Sequence, residues 1–433
     1  MQLIIAEKAI AGSRIASILA GRPVELVREG AAQLLRFEAD GKQFMVIPLR
    51  GHIADVDFPK QYSYWGGTHL KDLTMAPLEY VPTEIGIVNL LRQKSREADS
   101  VIIATDADRE GEAIGVEALQ YLQQTNPNIS FSRAYFSAMT PKDIKTAFSE
   151  LGKVDFDFAD SANARREIDL IWGAVLTRFI SMASNRRGKD FLSVGRVQTP
   201  VLTLLVDREK ERRAFNQQKY WVVLAVFEKN GSKFEAEHKT GKFWKKEEAQ
   251  RVLEKKTNAG TVTRVLEKKR VLERPLPFNT TSFLRAASAL GLQAGEAMTI
   301  AESLYQSGYT SYPRTDNQAY PVNLDLNEIL GELAKVSSFA PLVQKIRKLG
   351  PLNPSKGPST KDHPPVHPVS AAPREKLSSK QWAVYELIGR RFLATLADDA
   401  ETLNVRVEID LNSEPFVALG QTILKLGWKE YYP

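Results

Sequence analysis

The chain reads as a multidomain protein that combines an α/β part, an all-α part and an all-β part. Three observations lead there. Its 433 residues exceed what one hydrophobic core serves, since domains run to ~100–200 residues. Apolar strands alternate with helices up to about residue 152, the pattern of a parallel α/β sheet. Strand patterns then dominate two separated regions, 216–278 and 377–433, with helical periodicity before and between them.

In residues 1–152, "QLIIAE", "FMVIPLRGHI" and "ISFSRAYFSAM" are strand candidates, and "DSVIIATDADREGEAIGVEALQYL" is a β-branched strand, an acidic turn and a helix. Functional groups in such a sheet belong at the C-terminal ends of its strands. Residues 153–215 turn helical: "FADSANARREIDLIWGAVLTRFISMAS" carries Arg165, Arg166 and Arg178 along one helix, and "LSVGRVQTPVLTLLVDREKERR" is a loop feeding a second. Residues 216–278 hold a hairpin turning at Asn230-Gly231 and the strand region "GTVTRVLEKKRVLER". Residues 279–376 hold the helices "NTTSFLRAASALG" and "GEAMTIAESLYQSG", then "SYPRTDN" and a long Pro- and Ser-rich loop. A helix and two strands close the chain over 377–433. Their strand character matches 216–278, which predicts one β domain interrupted by a helical insertion.

Composition excludes several classes. There is no cysteine, so disulfides and cysteine zinc sites are ruled out, and none of the five histidines forms a metal-binding pair on a helix face. No apolar run approaches the ~20 residues of a membrane span, and the N-terminus lacks a secretory pattern. The expectation is a cytoplasmic protein without a membrane partner. A net charge of +7 permits phosphate binding without requiring it.

Five stretches could carry chemistry. In "TDADREGE", Asp106, Asp108, Glu110 and Glu112 follow a strand directly. The turn reads either as a solvated helix cap or as a hard oxygen donor set suited to Mg²⁺. Glu7 and Lys8 end the first strand and reach the same sheet edge; alone, such a pair is surface decoration. In "LSVGRVQTP", Arg196 and Gln198 offer a fork and an amide to phosphate, yet a polar loop before a helix explains them equally. In "TSYPRTDN", Pro313 extends the backbone at Tyr312, and Arg314 two residues on shares its face. Tyr305 and Tyr309 precede it at helical spacing and read as packing residues. In "KDHPPVHPV", prolines stiffen a segment holding His363 and His367.

In this order, "IAEK", "DADREGE", "ARREIDLIWGAVLTR", "SVGRVQTP", "GYTSYPRTDN" and "DHPPVHP" resemble the type IA DNA topoisomerases, the last in the form of the archaeal and eukaryotic topoisomerase III branch. The resemblance spans essentially the whole chain. It implies a toroid: a toprim domain (1–152), the first part of a helical single-strand-binding base (153–215), a β arch in two parts (216–278 and 377–433), and between them a helical domain (279–376) whose tyrosine closes on the toprim site. Carried over to this sequence, Tyr312 is the nucleophile that forms a 5′-phosphotyrosyl link. Glu7 serves proton transfer, and Lys8 and Arg314 stabilise phosphate charge. Asp106, Asp108 and Glu110 hold Mg²⁺ with Glu112 behind them. His363, Arg196, Gln198, Arg165, Arg166 and Arg178 contact DNA. Single-stranded and negatively supercoiled duplex DNA are the implied partners, with nucleoid association in a prokaryote. The chain stops at "GWKEYYP", before the family's return segment to the base, so the resemblance also raises a second chain supplying that segment.

Overall fold

The computed structural model describes residues 1–186, 188–255, 257–360 and 363–432; Lys361 and Asp362, heading the proline-stiffened segment, fall outside. Two compact units emerge. The first gathers Met1–Arg208, Phe278–Val336 and Pro358–Ile388; the second gathers Glu209–Pro277, Ser337–Gly357 and Gly389–Pro433.

The first unit opens with β1 (Gln2–Ala6), α1 (Ala9–Ala20), β2 (Val27–Glu29), β3 (Ala32–Ala39), β4 (Lys42–Pro48) and β5 (Ala54–Asp57). It continues with α2 (Leu70–Leu73), β6 (Glu79–Pro82), α3 (Ile85–Ser95), β7 (Ser100–Ala104), α4 (Arg109–Gln123), β8 (Ser130–Arg133) and α5 (Pro141–Ser149). The long helix α6 (Phe156–Ala183) follows, then α7 (Gln198–Ala214), whose residues from Glu209 on belong to the second unit. The main sheet runs β2-β3-β4-β1-β7-β8. It is parallel from β4 to β8 but antiparallel at the β2-β3-β4 edge, so it is a mixed sheet and not the parallel one the alternation predicts. The cause is local. Asp40 (φ 50°) and Gly41 (φ 69°) both adopt left-handed backbone, which closes a two-residue hairpin between β3 and β4. Along β1, Leu3 and Ile5 enter one core while Ile4 and Ala6 enter the other, so both faces are covered. That explains the unbroken apolar runs.

The second unit supplies β9 (Leu224–Lys229), β10 (Ser232–His238), α8 (Lys246–Glu254) and β11 (Thr261–Leu272). Asn230 (φ 51°) and Gly231 (φ 77°) make the expected hairpin turn. The chain then returns to the first unit for α9 (Thr280–Ser288), α10 (Ala294–Gln306) and α11 (Leu326–Ala334). After α12 (Ala340–Arg347) and α13 (Ser379–Leu396), the strands β12 (Ala400–Leu411) and β13 (Glu414–Lys425) complete an antiparallel sheet in the order β11-β12-β13-β10-β9. One sheet is thus built from strands on either side of the helical segment, with β11 pairing β12 from Thr261↔Asp410 to Leu272↔Ala400. On α6 and α7, Ile168, Val201, Leu202, Leu204 and Leu205 are exposed, while Ile171 and Val175 are half-buried.

Candidate active site

The site grows from two neighbouring parallel strands. Register pairs Ala6 of β1 with Ala104 of β7, so the residues just beyond them meet. There the Asp106 N–H donates to Glu7 Oε2 at 3.3 Å. Asp108 caps α4, accepting from the Gly111 N–H at 2.7 Å, and Thr105 Oγ1 donates to the Gly111 carbonyl at 2.7 Å. Glycine is required at 111, because a β-carbon there would overlap the Asp106 carbonyl. The sequence "TDADREG" therefore encodes a tight strand-to-helix turn with its carboxylates at the sheet edge.

The charge there is concentrated. Asp106 is buried, and burial together with the charges of Glu7 and Asp108 pushes its carboxyl up to about 8, against the opposing effect of Lys8. Lys8 Nζ stands 3.4 Å from Glu7 and 3.7 Å from Glu302 of α10. Glu110 accepts from His52 Nε2 at 3.0 Å, and that hydrogen bond holds its carboxyl below the usual carboxylate range. His52, just beyond β4, also donates from Nδ1 to Glu117 at 2.9 Å. Burial opposes its charge, but the two carboxylates prevail and raise the imidazole to about 9.

Tyr312 reaches this turn from the segment after α10. Its N–H donates to the Ser137 carbonyl at 3.0 Å, and Ser311 N–H donates to the His367 carbonyl at 2.9 Å. Its hydroxyl donates to Asp108 Oδ2 at 2.5 Å. The ring lies 4.5 Å from the His363 ring and edge-on to Tyr305 at 5.1 Å. Burial, then the charges of Asp106 and Asp108, push the phenol far above its ordinary range, so it is neutral here. Arg314 forks onto Glu302 Oε1 through Nε (3.1 Å) and Nη2 (2.5 Å). Glu302 thus ties Arg314 and Lys8 together. Tyr305, fully buried, donates to Asp106 Oδ1 at 3.1 Å.

The remaining site residues separate into two groups. Glu7, Asp108, Glu110, Arg109, Arg165, Arg166, Arg314 and His363 line one open cleft of about 1980 Å³. His363 Nδ1 lies 2.9 Å from Ser137 Oγ. Arg166 serves the framework as well, donating to Glu117 (3.2 Å) and the Ala54 carbonyl (2.7 Å). Away from the cleft, Arg178 is buried on the Tyr62 carbonyl (2.8 Å) and Trp65. Arg196 stands behind the cleft wall, forking at 2.6 and 3.0 Å onto Asp169, which lines the cleft, and Gln198 donates to Ser193 Oγ at 2.7 Å. Glu112 is buried with Arg133: their ion pair is 2.7 Å, and Glu112 also accepts from Tyr135 (3.2 Å) and the Asp155 N–H (2.8 Å). Its link to the acidic turn runs through Arg133, which donates to the carbonyls of Ile103, Thr105, Ala134 and Asp106. Residue types alone single out neither Arg133 nor His52, Glu302 and Tyr305. The available signal is Tyr305 at the end of α10, seven residues before Tyr312.

Asp106, Asp108 and Glu110 are hard oxygen donors beside a fourth carboxylate, Glu7, and that donor chemistry fits Mg²⁺. Among the described residues no three acidic or histidine groups converge on one point. The carboxylates instead receive the hydroxyls of Tyr305 and Tyr312 and the imidazole of His52.

His367 shows how the tyrosine segment is held. Nδ1 donates to the Pro365 carbonyl at 2.6 Å, and burial lowers the imidazole from 6.5 to about 4. A folded pKa below the unfolded one means that the unfolded chain takes the proton first. Stability is therefore full above about pH 6.5 and falls as the pH drops toward about 4. Denaturation between pH 7 and 4.5 should show a loss on the order of 3 kcal/mol that His367→Gln removes. Identical pH profiles for both proteins would contradict this.

Comparison with known proteins agrees with the architecture. Residues 153–433 match the family model described as DNA topoisomerase, and residues 2–139 match the Toprim domain. The chain is 44% identical over 431 residues to DNA topoisomerase 1 of Archaeoglobus fulgidus, covering 99% of this chain and 63% of that protein. It is 41% identical over 434 residues to the DNA topoisomerase 1 of Thermoplasma acidophilum (100% and 56%). It is 31% identical over 453 residues to DNA topoisomerase 3-beta-1 of Mus musculus (100% and 53%). It thus spans between about half and two thirds of the length of these curated relatives. The solved full-length topoisomerase I of Thermotoga maritima shares the fold, with a TM-score of 0.72 at 23% identity over 99% of this chain and 67% of that one. A tyrosine set on the acidic edge of a toprim sheet, and a family match over residues 153–433, place this chain in the type IA DNA topoisomerase family.

Proposed function

We propose that this chain cuts and reseals single-stranded DNA through Tyr312, without ATP, and so relaxes negative supercoils or unlinks DNA. The observation that carries the reading is the Tyr312 hydroxyl resting 2.5 Å from Asp108 beside a cleft lined by Arg109, Arg165, Arg314 and His363. A phenol whose proton faces a carboxylate has a base to receive it. The tyrosine oxygen bonds to phosphorus as the bond from phosphorus to the 3′-oxygen breaks. The departing oxygen takes a proton, for which Glu7 is the nearby acid, and leaves a free 3′-hydroxyl. Lys8 and Arg314, both tethered by Glu302, stand ready to balance charge on the phosphate. One phosphodiester replaces another, so resealing reverses the step with no nucleotide. Asp106, Asp108 and Glu110 would hold Mg²⁺, which when bound supplies positive charge against the acidic turn and the DNA backbone.

The test is trapping of a single-stranded oligonucleotide by denaturant during turnover. A 3′-end label should stay on the protein and a 5′-end label should leave on a free fragment; the opposite pattern would refute this chemistry. Binding should also weaken with salt at a log–log slope of about −0.7 per neutralised phosphate, or about −2 for Arg109, Arg165 and Arg314 together.

A further inference from the structure

Two phenols, not one, cover the acidic turn. Tyr312 donates to Asp108 Oδ2 at 2.5 Å, and Tyr305 donates to Asp106 Oδ1 at 3.1 Å. Tyr305 sits one helical turn after Glu302 on α10 and is 1% exposed, too deep for its hydroxyl to find water instead. Its ring meets the Tyr312 ring edge-on at 5.1 Å. Both rings belong to the same apolar cluster as Ala6 and Ala104, the ends of the two strands that present the carboxylates. Asp106 and Asp108 are also the residues assigned to the cation. An oxygen that accepts an O–H has less electron density to offer a metal, and it must break that bond or share it.

We propose that Tyr305 is a positioning residue whose hydroxyl competes with a divalent cation for Asp106, so that cation loading and withdrawal of the tyrosine pair from the acidic turn are linked. Linkage is reciprocal. Whatever strengthens the two hydroxyl contacts weakens cation binding by the same factor, and a bound cation loosens the phenols. Tyr305 therefore does more than pack. It helps hold Asp106 and Tyr312 in one closed arrangement, and it makes release of the nucleophile depend on the charge arriving beneath it.

The inference rests on the cation reading of these carboxylates, and its test needs no DNA and no turnover. Mn²⁺ is titrated calorimetrically into the full chain and into Tyr305→Phe. Phenylalanine keeps the ring and removes only the hydroxyl. The expected result is an affinity about 3- to 10-fold tighter in the variant, with little change in melting temperature. Damage to the site would move affinity the other way. Mn²⁺ should also perturb the near-ultraviolet tyrosine spectrum of the wild type more than that of the variant. An unchanged or weaker affinity in a folded Tyr305→Phe protein overturns the proposal. If that variant does not fold, Tyr312→Phe, which uncovers Asp108, carries the same expectation and the same refutation. Absence of Mn²⁺ binding in all three proteins would remove the cation reading itself, whereas binding by the wild type with an unmoved variant removes only this inference.

Discussion

Tyr312→Phe is expected to lower covalent DNA attachment by at least ~10³-fold, because the only group lost is the attacking oxygen. Single-strand binding should hold within about twofold, since the lost contact is one hydrogen bond that no DNA group makes. The ring still packs against Tyr305 and His363, and Asp108 keeps the Gly111 N–H. Stability should change by less than ~1 kcal/mol for the same reason. The informative control is Tyr305. Its ring lies 5.1 Å from that of Tyr312, but its hydroxyl is buried against Asp106. Recovery of a covalent complex from Tyr312→Phe would move the nucleophile elsewhere and end the assignment.

Arg133 should matter almost as much, through stability. Its guanidinium is 0% exposed, paired with Glu112, stacked on Tyr135 and hydrogen-bonded to four backbone carbonyls. Breaking a buried pair by removing one partner costs about 3–5 kcal/mol, since the other charge stays buried. Arg133→Met should lose that much, and Arg133→Lys nearly as much, because an ammonium cannot fork to the carbonyls of Thr105, Asp106 and Ala134 at once. Glu112→Gln should be milder, as the amide still accepts. The measurement is chemical denaturation followed in the first unit. A loss under ~1 kcal/mol for Arg133→Met would show that water or rearrangement replaces the pair. Beyond stability, the Asp106 backbone should loosen, so cation affinity should fall in whatever fraction of Arg133→Lys still folds.

Local grammar made part of this legible in the sequence. The apolar run "VIIAT", a capping aspartate and the glycine three residues later specify the strand, the turn and the start of α4 together. Asn230-Gly231 specifies a hairpin by the same local rule, and Asp40-Gly41 follows it too, though alternation alone predicts a parallel sheet there. The motifs in their order supplied the roles through resemblance. What stayed hidden is what distant segments bring to each other. Tyr305 and Asp106 are 199 residues apart, and a tyrosine at helical spacing looks the same whether it packs on leucine or on a carboxylate. Arg133 ends a short strand, where a polar residue ordinarily marks the solvent side; only the tertiary fold turns it inward. Arginines along α6 have one sequence signature and two destinies. Arg165 lines the cleft, whereas Arg178 anchors the Tyr62 carbonyl.

The antiparallel sheet of the second unit has a consequence for how the chain reaches its native state. β10 and β11 pair with β13 and β12, and Thr261 waits for Asp410 while Leu272 waits for Ala400. During synthesis, β9, β10 and β11 leave the ribosome as a hairpin and a lone strand, and well over a hundred residues follow before their partners appear. The free edge of β10 and the whole of β11 lack their strand partners for that interval, which at ~5–20 residues per second lasts many seconds. Such long-range pairing is slow because the loop must close before any contact rewards it. The helical segment bearing Tyr312 is made entirely within this window. The nascent chain therefore carries its nucleophile before its β sheet exists, and the unpaired edges of β10 and β11 are its exposure to misassociation.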